Sequence, residues 1–175
     1  PMRSAARKIT ADARLRTDVE VPEVCTNWYE PHVAQELGRI RNGIQKVEGE
    51  VVRDLLWALL SSIAIKVSYR ESDTANRRQP HHRPPGTTAI LFHKKSRELG
   101  RQFTDLPAQP TISIEQGDAR LCPPGDDVGL VITSPPYPGV YDYVPMQQLR
   151  MAWLGLNAHR ALREEIGSRR SFRAR

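Results

Sequence analysis

The chain has 175 residues, of which 39% are hydrophobic, 26% charged and 6% aromatic, with 14 Pro and 11 Gly, which excludes collagen-like and wholly disordered classes. No apolar run approaches the roughly 18 to 20 uninterrupted residues that span a bilayer: the longest, Val51 to Val67, is broken by Arg53, Asp54 and Lys66, and no apolar stretch follows Arg3, Arg7 and Lys8 as a secretory signal requires. Twenty-six Lys and Arg against 20 Asp and Glu give a net charge of +6, which favours a polyanionic partner such as a nucleic acid and, with the foregoing, a cytoplasmic protein without membrane contact.

Residues 1–26 carry many charges and little periodicity, which predicts a flexible entry segment. A helical region is predicted over 27–105. Val33, Leu37, Ile40, Ile44 and Val47 recur at steps of four and three behind Pro31, the pattern of an amphipathic helix with proline in its first turn. After Gly49, the residues Val52, Leu55, Leu56, Leu59, Leu60 and Ile63 predict a second and more deeply buried helix, antiparallel to the first.

The composition then changes to a basic loop, 68–88, with little to bury, where Arg70, Arg77, Arg78 and Arg83 are candidates for phosphate contacts. The neighbouring His81 and His82 lack a third ligand at helical spacing, so no metal is expected. Cys25 and Cys122 match neither a disulfide framework nor a zinc ribbon. Ala89 to Phe92 could form a short strand, but Phe92, Leu99 and Phe103 favour a helix over about 89–104.

Beyond Pro107 and Pro110, the alternation in Thr111 to Gln116 predicts a half-buried strand closed by Gly117-Asp118. Val128 to Thr133 is a β-branched run of the kind buried on both faces of a parallel sheet, and it leads directly into Ser134-Pro135-Pro136-Tyr137. In open α/β sheets ligands bind beyond the carboxyl ends of strands, so adjacent parallel strands would present Asp118 and Ser134 to Tyr137 on one rim. Tyr141-Asp142-Tyr143-Val144-Pro145 then leads into a helix with Met146, Leu149 and Trp153 on one face and Gly155 at its end.

The order Gly117-Asp118-Ala119-Arg120, strand 128–133, Ser134 to Tyr137, Tyr141-Asp142-Tyr143, Leu149 to Gly155 and Glu165 to Arg169 resembles the S-adenosylmethionine-dependent DNA amino-methyltransferases of the cytosine-N4 and adenine-N6 group. That resemblance covers about 112–170 and extends weakly over 27–105, where the paired helices look like an insertion. It implies an α/β fold, a partial Rossmann-like methyltransferase sheet preceded by a helical insertion, with 106–175 as a partial catalytic region.

The resemblance also implies roles for individual residues. Ser134 and the Pro135 carbonyl accept hydrogen bonds from a base amine, Pro136 helps to hold the backbone rigid, and Tyr137 stacks on the base. Asp118 and Ala119 lie beside the adenine end of S-adenosylmethionine. Serine in the first motif position favours cytosine N4 over adenine N6.

The family's glycine-rich turn, in which two glycines flank a single residue, has no counterpart among the glycines of this chain. A second polypeptide or a further segment supplying that loop is therefore expected. Two alternatives stay open: a non-catalytic basic nucleic-acid-binding module, and a methylase acting on RNA or on a protein amide.

Overall fold

The computed structural model describes residues 1–72, 74, 77–104, 112–115, 117, 118, 121 and 128–170. Among them the order is α1 (Met2–Ala13), a 3-10 helix (Glu23–Trp28), α2 (Pro31–Gln45), α3 (Glu50–Ala64), α4 (Thr87–Gln102), α5 (Tyr143–Leu154) and α6 (Ala158–Glu164). Helices α1 to α5 share one core, α1 lying on α2 and α4, and α3 contacting α2, α4 and α5. No helix among the described residues is long and apolar enough to cross a membrane.

The helices expected from apolar spacing form where their side chains demand it. On α2 the stripe Val33, Leu37, Ile40 and Ile44 is buried, with Pro31 opening the helix. On α3 the buried set is Leu56, Leu59, Leu60, Ile63 and Ala64. Helix α4 covers Thr87–Gln102 and buries Phe92 and Ala89, which resolves the strand-or-helix ambiguity in favour of helix. Helix α5 buries Leu149 and Trp153 and ends on Gly155 in the left-handed region, φ 70°, which a side chain would strain.

The entry segment departs from expectation, because it is a helix fixed to the body. Met2, Ala6, Ile9 and Ala13 of α1 are buried, and a Cβ at Gly43 of α2 would come within 3.0 Å of Ile9 Cγ1. Glycine there lets two helix backbones approach closely. The chain after α1 is strapped to α2 by side chains: Arg39 donates to the carbonyls of Ala13 and Thr17 (2.8 and 2.9 Å), and Gln35 exchanges hydrogen bonds with both backbone groups of Val19 (2.8 and 3.1 Å).

The α/β expectation is overturned. Among the described residues there is no strand and hence no Rossmann-like sheet; the one bridge pairs Arg70 with Arg78 in the basic loop. Ile112 and Ile114 are 66% and 90% exposed, although the covered face of a half-buried strand would bury them, and Leu130 and Ile132 are 76% and 87% exposed, whereas a strand buried on both faces would cover them. Thr111 and Gln116 lie outside the described residues. A β-branched run favours a strand only where neighbouring strands supply its ladder and its packing, and the helical body offers neither.

Candidate functional site

The motif residues Ser134, Pro135, Pro136 and Tyr137 all stand exposed at the surface, in a run that forms neither helix nor strand. What fixes the end of this run is α5. The Tyr137 N–H donates to the Tyr143 hydroxyl at 3.1 Å, and the rings of Tyr137, Tyr141 and Tyr143 follow one another at centroid distances of 6.0 and 5.8 Å. Tyr143 is the first residue of α5.

The start of α5 is secured from two sides. Glu165 Oε1 accepts from the N–H groups of Tyr143 and Val144 (2.5 and 3.2 Å), a carboxylate on helix-terminal donors that have no partner within the helix. Gly139 N–H donates to the Gly167 carbonyl at 2.8 Å. Deeper in the helix, Trp153 is fully buried and meets the Tyr29 ring edge-on at 5.7 Å and 81°. Tyr29 in turn donates its hydroxyl to the Ala64 carbonyl (3.0 Å), and burial pushes its ionisation well above the usual phenol range.

Arg70 belongs to this support and not to the loop surface for which the sequence suggested it. It is buried, its guanidinium donates to the carbonyls of Met146 and Pro145 (the latter at 3.1 Å), and it lies over the Trp28 ring at 5.6 Å. A loop arginine is expected to snorkel outwards; this one finds carbonyl acceptors and an aromatic face inside.

Arg77 and Arg78 keep the exposed position that phosphate contact needs. Arg78 lies over the Tyr69 ring at 4.9 Å, and the loop closes on itself through Glu71 N–H to the Arg77 carbonyl (3.1 Å) and Gln79 N–H to the Tyr69 carbonyl (2.6 Å). Arg83 is half-buried, its backbone held at both ends: its N–H donates to Glu30 Oε2 (2.8 Å), and its carbonyl meets His32 Nε2 at 2.8 Å. That N–H, followed by contact with His82, holds the Glu30 carboxyl below its ordinary range. These carboxylate and imidazole anchors carried no sequence signal, since Glu30 and His82 lie 52 residues apart.

Asp118 is half-buried, and its carbonyl accepts from Leu121 N–H at 2.8 Å. Ala119 and Cys122 lie outside the described residues. Without strands the shared rim that was to bring Asp118 beside Ser134 loses its basis. An aspartate carboxylate suits a ribose hydroxyl or an adenine amine, while four cavities among the described residues are lined by α1 to α4 and the basic loop. The glycine-rich turn that would hold the methionine half of S-adenosylmethionine has no counterpart in the sequence.

No protein-family model matches the chain, and no curated protein and no solved structure was found to be similar to it.

Proposed function

We propose that this chain carries the acceptor-amine part of a DNA amino-methyltransferase, with cytosine N4 favoured over adenine N6, acting in the cytoplasm with a second polypeptide or further segment that holds S-adenosylmethionine. The donor, when bound, supplies an electrophilic methyl group. The observation that supports this reading most directly is the open presentation of Ser134 to Tyr137, with Tyr137 tied to α5 through Tyr143.

An exocyclic base amine is a poor nucleophile because its lone pair is delocalised into the ring. The Ser134 hydroxyl and the Pro135 carbonyl can each accept one of its N–H groups and so localise the pair on nitrogen. Pro135 and Pro136 have no N–H and a fixed φ, so the carbonyl is offered without competition and without reorganisation. Tyr137, 58% exposed, has a free aromatic surface for a base that has left its stack, an extrusion costing a few kcal/mol.

The test is transfer of labelled methyl from S-adenosylmethionine to DNA by the chain mixed with a polypeptide carrying the glycine-rich turn. Ser134→Ala should lower kcat with donor affinity unchanged, whereas equal loss of donor affinity overturns the role given to Ser134. DNA, RNA and protein acceptors assayed side by side identify the amine.

The exposed Arg77 and Arg78 favour one other reading, a basic nucleic-acid-binding module without catalysis. It prevails if no acceptor is ever methylated while binding is salt-sensitive and survives Tyr137→Ala.

A further inference from the structure

Between the end of α3 and the basic loop lies a cavity of about 340 Å³, within the size range of small-ligand pockets. Among the described residues, Lys66, Arg70, His81 and Arg83 line it together with the Glu71 carboxylate and the Gln79 amide. Concave walls of one sign concentrate counter-ions. We infer that this cavity is a phosphoryl-binding site, taking either a backbone phosphate of a nucleic acid or the phosphate of a free nucleotide.

The wall residues divide the work. Arg70 directs donors to the carbonyls of α5 and supplies charge and rigidity. Arg83 is placed by its backbone, which Glu30 and His32 clamp, and one terminal nitrogen of its guanidinium covers the Lys66 carbonyl at the end of α3. Its Nε–H has no acceptor among the described residues, so turning that edge towards an oxyanion breaks no bond of its own. The Lys66 side chain is exposed and able to swing over the mouth. His81 directs its Nδ1–H to the Gln79 carbonyl (3.1 Å) and makes a T-shaped contact with the Tyr69 ring (5.9 Å), so it forms part of the wall and the donors for a ligand come from Lys66 and Arg83. An oxyanion with several acceptor lone pairs matches such a set of donors.

The choice of a nucleic-acid phosphate rests on the proposed function; the phosphoryl site itself does not. Pyrophosphate and inorganic phosphate titrated into the whole chain by calorimetry at low salt should bind saturably. Lys66→Gln should weaken binding about tenfold, the loss of one charge-assisted hydrogen bond, with Arg83→Gln in the same direction and Arg97→Gln on α4 without effect. Lys66 is exposed, so its variant folds even if the Arg83 variant does not. Absence of saturable binding, or equal weakening by Lys66→Gln and Arg97→Gln, overturns the site.

Duplex DNA and a mononucleotide, each used as competitor, distinguish the sources. Competition by the mononucleotide alone keeps the site and removes the DNA reading. DNA binding and methylation that are indifferent to Lys66→Gln, without pyrophosphate binding, remove the site and keep the proposed function.

Discussion

Glu36 of α2 reaches across to α4: its Oε1 accepts the Gly86 N–H at 2.5 Å, and its Oε2 accepts the N–H groups of both Thr88 and Ala89 (3.1 and 3.3 Å). A buried carboxylate thus occupies the start of a neighbouring helix, where unpaired donors and the helix dipole favour negative charge. Glu36→Ala leaves buried donors without acceptors and should destabilise the fold by about 2 to 3 kcal/mol; Glu36→Gln keeps one acceptor and should cost about 1 kcal/mol. Urea denaturation measures both, and an unchanged stability in Glu36→Gln would show that the charge itself contributes nothing.

Trp153 is the anchor of α5, and Trp153→Ala should cost about 3 to 5 kcal/mol, as for large aromatic side chains removed from cores. The milder Tyr29→Phe removes only the donor to the Ala64 carbonyl and should cost about 1 to 2 kcal/mol. Thermal unfolding of the two variants separates packing from hydrogen bonding.

Burial pushes the Cys25 thiol from its ordinary 9.0 up to about 12, against a smaller opposing pull from Arg41. Because the raised value belongs to the folded state, the associated stability is complete below pH 9 and declines as pH rises from about 9 towards 12, where the unfolded chain ionises first. In a Cys122→Ser background, iodoacetamide at pH 8.5 should leave the native protein unmodified and label it once urea unfolds it. Rapid native labelling would contradict an enclosed thiol.

Tyr143→Phe removes the acceptor for Tyr137 N–H at an exposed contact and should change stability by no more than about 0.5 kcal/mol. The same variant should lower kcat in a complemented enzyme, because Tyr137 is no longer held. Glu165→Ala, by contrast, uncovers the start of α5 and should destabilise by about 1 kcal/mol, as lost helix caps do. A stability loss in Tyr143→Phe that matches its activity loss would assign Tyr143 to packing alone.

Neutralising Arg77 and Arg78 should weaken DNA binding alike on all sequences and flatten its dependence on salt. Fluorescence anisotropy over a salt series checks this, and a sequence-selective loss would indicate base contacts instead.

Helices α2, α3 and α4 were legible because long aliphatic side chains recur at helical spacing, as Leu37, Leu56 and Phe92 show. Helix α1 was not, since much of its buried face is alanine, which carries little hydropathic contrast, and charged residues surround it. The strands failed for a different reason: Ile114 and Ile132 have the β-branched form of strand residues, but a strand is made by its partners, which a local pattern does not contain. At the candidate site, Ser134 to Tyr137 and the later tyrosines could be found from their order alone. The inward turn of Arg70 and the long-range acceptors Glu30, Glu36 and Glu165 could not, because which N–H groups lack partners depends on how the helices end and meet.

The bed on which α1 lies is made jointly by α2 and α4. During synthesis α1 therefore leaves the ribosome well before its second neighbour exists, and its Met2, Ile9 and alanine face must wait in water or in the hands of a chaperone until Thr87–Gln102 has emerged. Helix α1 is thus translated before α4 and yet settles only after it.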